Sequence, residues 1–294
     1  DARFALDALP ALTTRPDQIR LLRQTILNLA VRGKLVPQEA DDEPAAELLK
    51  RIAAEKARRV KDREIRQRDI QPPIPSNEAP FDLPNSWVWT RLGTLCFLIT
   101  DGAHHTPKYQ DEGVPFLSVK DVSSGIIDFS NTRFISKEAH RELAKRCNPE
   151  FGDILLTKVG TTGIAVEVDT EQEFSIFVSL ALLKFSRENI DRRFLCYLIN
   201  SPFVKRQSAD NTQGIGNKNL VLRLINQFAI PLPPLAEQHR IVAKVDALMA
   251  LCDRLEASLD QTAAARRRLL DALLSEALAP AEAREMEAAE CRRR

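Results

Sequence analysis

Apolar positions along this chain follow two different periods, and the change of period divides it. From 231 to 278 the spacing is helical: Ile241, Val245, Leu248, Cys252, Leu255 and Leu259 alternate in steps of four and three, as in a coiled-coil seam. Thr262 and Arg266 interrupt the stripe, and Leu269 and Leu273 resume it. Pro231, Pro233 and Pro234 forbid a helix upstream and Pro280 closes the run downstream, with no glycine between them. At 1.5 Å per residue the segment reaches about 65 Å. A stripe that long asks for a second long helix beside it, although a core helix of a bundle would also use it.

Helical spacing also opens the chain. Ile19, Leu22, Ile26 and Leu29 share a face, with Asp17 as a cap and Gly33 as a stop. A second helix is expected from Pro44, in the first helical position, to about Arg68. Its later half, RRVKDREIRQR, is basic and poorly amphipathic, a solvated face. The proline-dense stretch QPPIPSNEAPFDLP then reads as a linker.

Between Trp87 and Ile230 the period shortens. The runs VPFLSVKDV, GIIDF, DILLTKVG, GIAVEV and FSIFVSLALLKF alternate with turn formers, which predicts short strands in an irregular α/β domain. A helix is expected over 191–209, carrying Phe194, Leu195, Leu198, Ile199 and Phe203, and a shorter one over 217–226. FAIPLP reads as a last strand leading out. The fold class is α+β. The domains are an N-terminal helical arm (1–70), a Pro-rich linker (71–86), an irregular α/β domain (87–233), a long spacer helix (234–279) and a flexible tail (280–294).

Composition narrows the class more than the function. The 294 residues carry a net charge of only +1, so any basic surface must come from folding. Five scattered cysteines with no CxxC pair argue against a disulfide framework and a zinc module, and for a reducing cytoplasm. No apolar run approaches the ~18 residues of a membrane span, and no secretory signal opens the sequence.

Three polar stretches carry candidate chemistry. In DGAHHTPKY, a loop by its Gly and Pro, Asp101, His104, His105, Thr106, Lys108 and Tyr109 supply groups that bond phosphates or base edges. A metal site at Asp101, His104 and His105 is the rival, although adjacent strand histidines face apart and no Cys or third His lies at ligand spacing. The glycine-flanked turn with Lys158, Thr161 and Thr162 can bring N–H groups to phosphate, without the P-loop spacing; a plain hairpin turn is the alternative. Ahead of a helix, Gln213, Asn217 and Asn219 can bond adenine and Lys218 can meet phosphate. Lys120 could face DNA as well, or pair with Asp121. Asn148-Pro149-Glu150-Phe151 only superficially resembles the Asn-Pro-Pro-Tyr/Phe motif of adenine methyltransferases, since its third residue is Glu and no glycine-rich cofactor loop precedes it. No Ser-His-Asp or nuclease constellation is present, so no catalytic residue and no metal ligand is assigned. His239, at the start of the long helix, reads as structural.

The segment PLPPLAEQHRIVAKVDAL resembles the conserved segment after a recognition domain in type I restriction–modification specificity subunits (HsdS). LRQTILNLAVRGKLVPQ and EPAAELLKRIAAEKARR resemble that family's N-terminal arm; TDGAHHTPKYQDEGVPFLSVKDV and EFGDILLTKVGTTGIAVEV resemble parts of its recognition domain. The resemblance covers nearly the whole chain. It implies a subunit that binds a half-site of a bipartite DNA target and performs no chemistry, with the 213–219 loop on the DNA face. It also implies partners: methyltransferase subunits (HsdM) using S-adenosylmethionine to methylate adenine N6, and a restriction subunit (HsdR) using ATP and magnesium. A bacterial or archaeal cytoplasm follows. A full specificity subunit has two recognition domains and two long helices, whereas no repeat is visible in this sequence. Three readings stand: a half-sized subunit that dimerises through its long helix, a fragment of a two-domain subunit, or a stand-alone metal-dependent enzyme acting through His104 and His105.

Overall fold

The computed structural model describes residues 15–65, 72–212 and 219–278. It contains two compact units, one of Gln24–Asp246 and one joining the described parts of Asp1–Arg23 and Ala247–Arg294. Helix α1 (Pro16–Ala30) opens the described chain. Asp17 lies inside its first turn and does not cap it; Gln18 Oε1 accepts from the Arg15 backbone N–H at 3.1 Å instead. Helix α2 (Ala45–Lys61) starts with Pro44 as its N-cap. It stops well short of Arg68, because Arg63 takes φ 60° and turns the chain out of the helix.

Among the described residues the mixed domain has three small sheets. Strands β1 (Val88–Arg91) and β9 (Ala229–Leu232) pair antiparallel and bring its beginning to its end. The central sheet runs in the order β2 (Cys96–Asp101), β8 (Leu180–Phe185), β5 (Ile154–Thr157), β6 (Ala165–Glu167), all antiparallel. The third is β4 (Arg133–Ile135), β3 (Val114–Leu117), β7 (Ser175–Ile176), with β3 parallel to β7. Leu155, Leu180, Leu182, Phe174 and Ile176 belong to one core cluster; Val114, Phe116, Ile135 and Ala103 form a smaller one.

Some expected elements take another form. GIIDF is a bend running into irregular chain and not a strand: Gly125 adopts φ 93° and Ile126 is 67% exposed. The helix expected over 191–209 is two, α5 (Arg192–Asn200) and α6 (Pro202–Asp210), after a single turn α3 (Leu92–Leu95) and α4 (Lys137–Ala144) earlier in the chain. Pro202 has no N–H to continue α5, and Ser201 ends one helix and caps the next by accepting from Val204 N. Helix α7 is confined to Leu222–Asn226, because Asn219 is bridged to Val159.

Helix α8 (Leu235–Leu278) is unbroken. Ile241, Val245, Leu248 and Cys252 are buried, Leu255 and Leu259 are half-buried, and Leu269 and Leu273 are exposed together with Leu270, Leu274 and Leu278. In the unit of the chain's ends, Arg23 on α1 binds Asp253 at 2.7 Å and Glu256 at 2.9 Å on α8. In the larger unit the Glu-Gln pair at the head of α8 acts as a buried connector. Gln238 accepts from Asp191 N and donates to the Pro233 carbonyl. Glu237 accepts from Trp87 Nε1 at 2.8 Å and Gln38 Nε2 at 2.6 Å. His239 stays largely exposed, 3.7 Å from Asp191. Among the described residues no helix is long and apolar enough to cross a membrane.

Burial raises the Glu237 carboxyl above its ordinary pKa of 4.5, against the opposing pull of the Trp87 and Gln38 hydrogen bonds. The native state then holds a proton that the unfolded chain releases. This contribution to stability is complete below the ordinary value and is lost as pH rises through the raised one. Glu237→Ala is expected to remove that slope. By leaving the buried Trp87 indole N–H without its acceptor it should also cost about 1–3 kcal/mol; urea denaturation between about pH 4 and pH 7 reads both effects.

Candidate nucleic-acid interface

Topology brings the candidate segments together. Strands β2 and β5 both run antiparallel to β8, with Asp101 opposite Ala181 and Thr157 opposite Leu180. Both therefore finish at the end of the sheet where β8 begins, and the loops that follow them, 101–109 and 158–163, leave from the same end. Strand β3, parallel to β7, finishes there too: Leu117 lies opposite Ile176, and Phe177 N donates to Leu117 O. The short connector from β7 to β8 is the hub. Val178 N donates to Ala103 O, Lys158 N to Ser179 O, and Val119 N to Ser179 Oγ. Gly102 packs so closely there that a Cβ would lie 1.9 Å from the Ile176 carbonyl oxygen, which only glycine permits.

The turn 158–163 also receives the segments flanking 213–218. Val159 bridges to Asn219, Leu220 N donates to Lys158 O at 2.7 Å, and the Thr162 and Thr212 hydroxyls are 3.1 Å apart. Gly163, at φ 82°, lies against Ser208 of α6 with no room for a Cβ. Gln213, Asn217 and Lys218 lie outside the described residues; Asn219 is half-buried at the bridge.

The side chains sort into an internal group and an exposed one. Asp101 ends β2 instead of opening a loop, and it is 4% exposed. Lys158, also 4% exposed, does not face outward as a phosphate contact would: its ammonium lies 3.2 Å from Asp101 Oδ2 and donates to Val178 O at 3.1 Å. The other Asp101 oxygen meets His104 Nε2 at 3.0 Å and Arg146 Nη1 at 3.3 Å. The second Arg146 amino group donates to the carbonyls of Asp101 and Gly102. Both oxygens of this carboxylate are thus engaged by neighbouring side chains, and among the described residues no group of three His, Cys, Asp or Glu could hold a metal.

His104, His105, Thr106, Lys108, Tyr109, Lys120 and Thr161 are exposed, and Thr162 is half-buried. Lys120 does not pair with Asp121, whose carboxylate accepts from Ser118 N, Ser118 Oγ and Thr132 Oγ1. Arg133, on β4, stands 5.7 Å over the Tyr109 ring, which itself lies against Phe116. No ion pair engages Lys108, Lys120 or Arg133 among the described residues. By contrast, Lys184 and Arg187 are tied to buried Asp153 at 2.7 Å each, and Arg193 to Asp246 at 2.7 Å. Sequence reasoning missed Arg133 and Arg146. Arg133 was findable as the basic residue of a short strand; Arg146, in an ordinary polar run, gave no such signal.

The family model for the type I restriction modification DNA specificity domain matches residues 84–263. The EcoAI specificity subunit of Escherichia coli is 30% identical over 272 residues, covering 91% of this chain and 46% of that protein. The EcoEI specificity subunit, also from Escherichia coli, is 28% identical over 285 residues, again covering 91% and 46%. The chain thus spans about half the length of these relatives. The same fold occurs in the crystal structure of the HsdS subunit from Thermoanaerobacter tengcongensis, at 22% identity and a TM-score of 0.51 over 79% of this chain and 56% of that one. With more than half of its residues matched by the family model, this chain belongs to the type I restriction–modification specificity subunits.

Proposed function

We propose that the chain reads one half-site of a bipartite DNA target and directs partner subunits to it without performing chemistry. The observation that carries this reading is the convergence of the 101–109, 118–121 and 158–163 segments at one end of the central sheet, with Lys108, Lys120 and Arg133 nearby, exposed and in no ion pair among the described residues. Such cations suit phosphates, while His104, His105, Thr106, Tyr109, Thr161 and Asn219 suit base edges or sugar. Gln213, Asn217 and Lys218 belong to the same proposed face through the flanking residues that dock on the turn.

In this proposal HsdM subunits supply adenine-N6 methylation with S-adenosylmethionine, and an HsdR subunit supplies ATP- and magnesium-dependent restriction in the cytoplasm of a bacterial or archaeal host. Helix α8 is the ruler. Its exposed Leu269 and Leu273 suit pairing with a second long helix, supplied by a second copy or by a second half of a longer subunit. A symmetric pair would read a palindromic bipartite sequence. Co-expression with a type I methyltransferase subunit tests the reading: the two should elute together, and the purified chain alone should not cleave DNA. Chelator-sensitive cleavage by the chain alone would overturn it.

A further inference from the structure

Asp101 does more than close an internal ion pair. Its Oδ2 is taken by buried Lys158 and its Oδ1 faces His104 Nε2 at 3.0 Å. An ionised carboxylate only accepts hydrogen bonds, so His104 Nε2 must be the donor. In the neutral imidazole this fixes the tautomer, because one ring nitrogen carries the proton and the other carries a lone pair. That second nitrogen, Nδ1, belongs to a side chain 57% exposed on the loop that follows β2, and no described residue bonds to it.

We infer that His104 is a base-reading residue whose Nδ1 accepts a hydrogen bond from an exocyclic amino group in the major groove, with Asp101 and Lys158 positioning it. The inference rests on the DNA-reading proposal and deepens it by naming a contact. In the major groove only adenine N6 and cytosine N4 offer such a donor, whereas guanine N7 and O6 and thymine O4 are acceptors. An acceptor held rigidly by a buried carboxylate therefore favours A or C at one position and disfavours G or T there. Lys158, 3.2 Å from Asp101 Oδ2, holds the carboxylate in place, and Arg146 fixes the backbone carbonyls of Asp101 and Gly102. His105, the next residue, has no such carboxylate among its described contacts, which separates the two histidines in role.

The test is selection from a randomised duplex library by the full chain, wild type and variants. The wild-type chain should select a motif that contains one A or C whose preference disappears in His104→Phe and weakens in Asp101→Asn, where an amide no longer dictates which ring nitrogen carries the proton. Lys120→Ala should lower affinity with the base profile unchanged, a result that a merely structural disturbance of the loop would not reproduce. Replacing the selected adenine by purine, or the cytosine by pyrimidinone, removes the amino group. This should cost the wild-type chain about five- to a hundredfold in affinity and cost His104→Phe nothing. If His104→Phe, with an unchanged melting temperature, keeps the full base profile or still loses affinity on the analogue, the inference falls while the DNA-reading proposal stands. A wild-type chain that selects no sequence overturns both.

Discussion

Asp101→Ala is expected to destabilise the mixed domain by about 3–5 kcal/mol, the cost of leaving a buried charge without its partner. The residue left behind is Lys158, which is 4% exposed and whose ammonium would keep only the Val178 carbonyl as acceptor. Water cannot easily replace the lost carboxylate there, and the Arg146 guanidinium would lose one of its acceptors as well. The second arm of this prediction separates charge from packing. In Asp101→Ala/Lys158→Met both charges are gone and an unbranched apolar chain fills the lysine's path, so most of the lost stability should return. Urea denaturation of the single and double variants measures both. A single variant within about 1 kcal/mol of the wild type would mean that the pair is solvated.

Removing Lys108, Lys120 and Arg133 together, each to alanine, is expected to weaken DNA binding about a hundredfold near physiological salt. Each phosphate neutralised contributes a slope of about −0.9 in log K against log salt, so the triple variant should be shallower by about 2.7, three times 0.9. All three cations are exposed and without a carboxylate partner among the described residues. Lys184 and Arg187 give the control: both are held at 2.7 Å by Asp153, and replacing them should leave the slope unchanged. Titrations at several salt concentrations decide it. An unchanged slope in the triple variant would move the DNA to another face.

Long-range order in this chain was legible wherever a local rule governed it. The helix expected over 234–279 is bounded by prolines and free of glycine, and α8 runs unbroken from Leu235 to Leu278. Several strand-forming runs likewise became β3, β5, β6, β7 and β8. The break at Ser201 was written in the Ser-Pro pair, but apolar spacing continues through it and suggests one helix. GIIDF has the residue types of a strand, yet Gly125 bends the chain and leaves Ile126 exposed while Ile127 packs against the core.

The candidate site was legible as a set of segments and not as a geometry. Asp101 has the residue type of a loop opener, and its burial depends on Lys158, a partner far along the chain that only strand order brings close. The same pairing changes what Lys158 does: a lysine in a glycine-flanked turn reads as a phosphate contact until its ammonium is seen to be spent inside. The polar residues at the head of α8 follow the same logic. Glu237 and Gln238 resemble ordinary surface helix positions, but both are fully buried and tie Trp87, Gln38, Asp191 and Pro233 to the helix.

The proposed role is to set the sequence at which partner subunits methylate DNA. The measurement that tests it most directly is single-molecule methylome sequencing of the source strain with and without the gene. Deletion should abolish N6-methyladenine at one bipartite motif, palindromic if two copies pair through their long helices and asymmetric if the second recognition domain comes from elsewhere. An unchanged methylome, with the partner genes shown to be expressed, would contradict it.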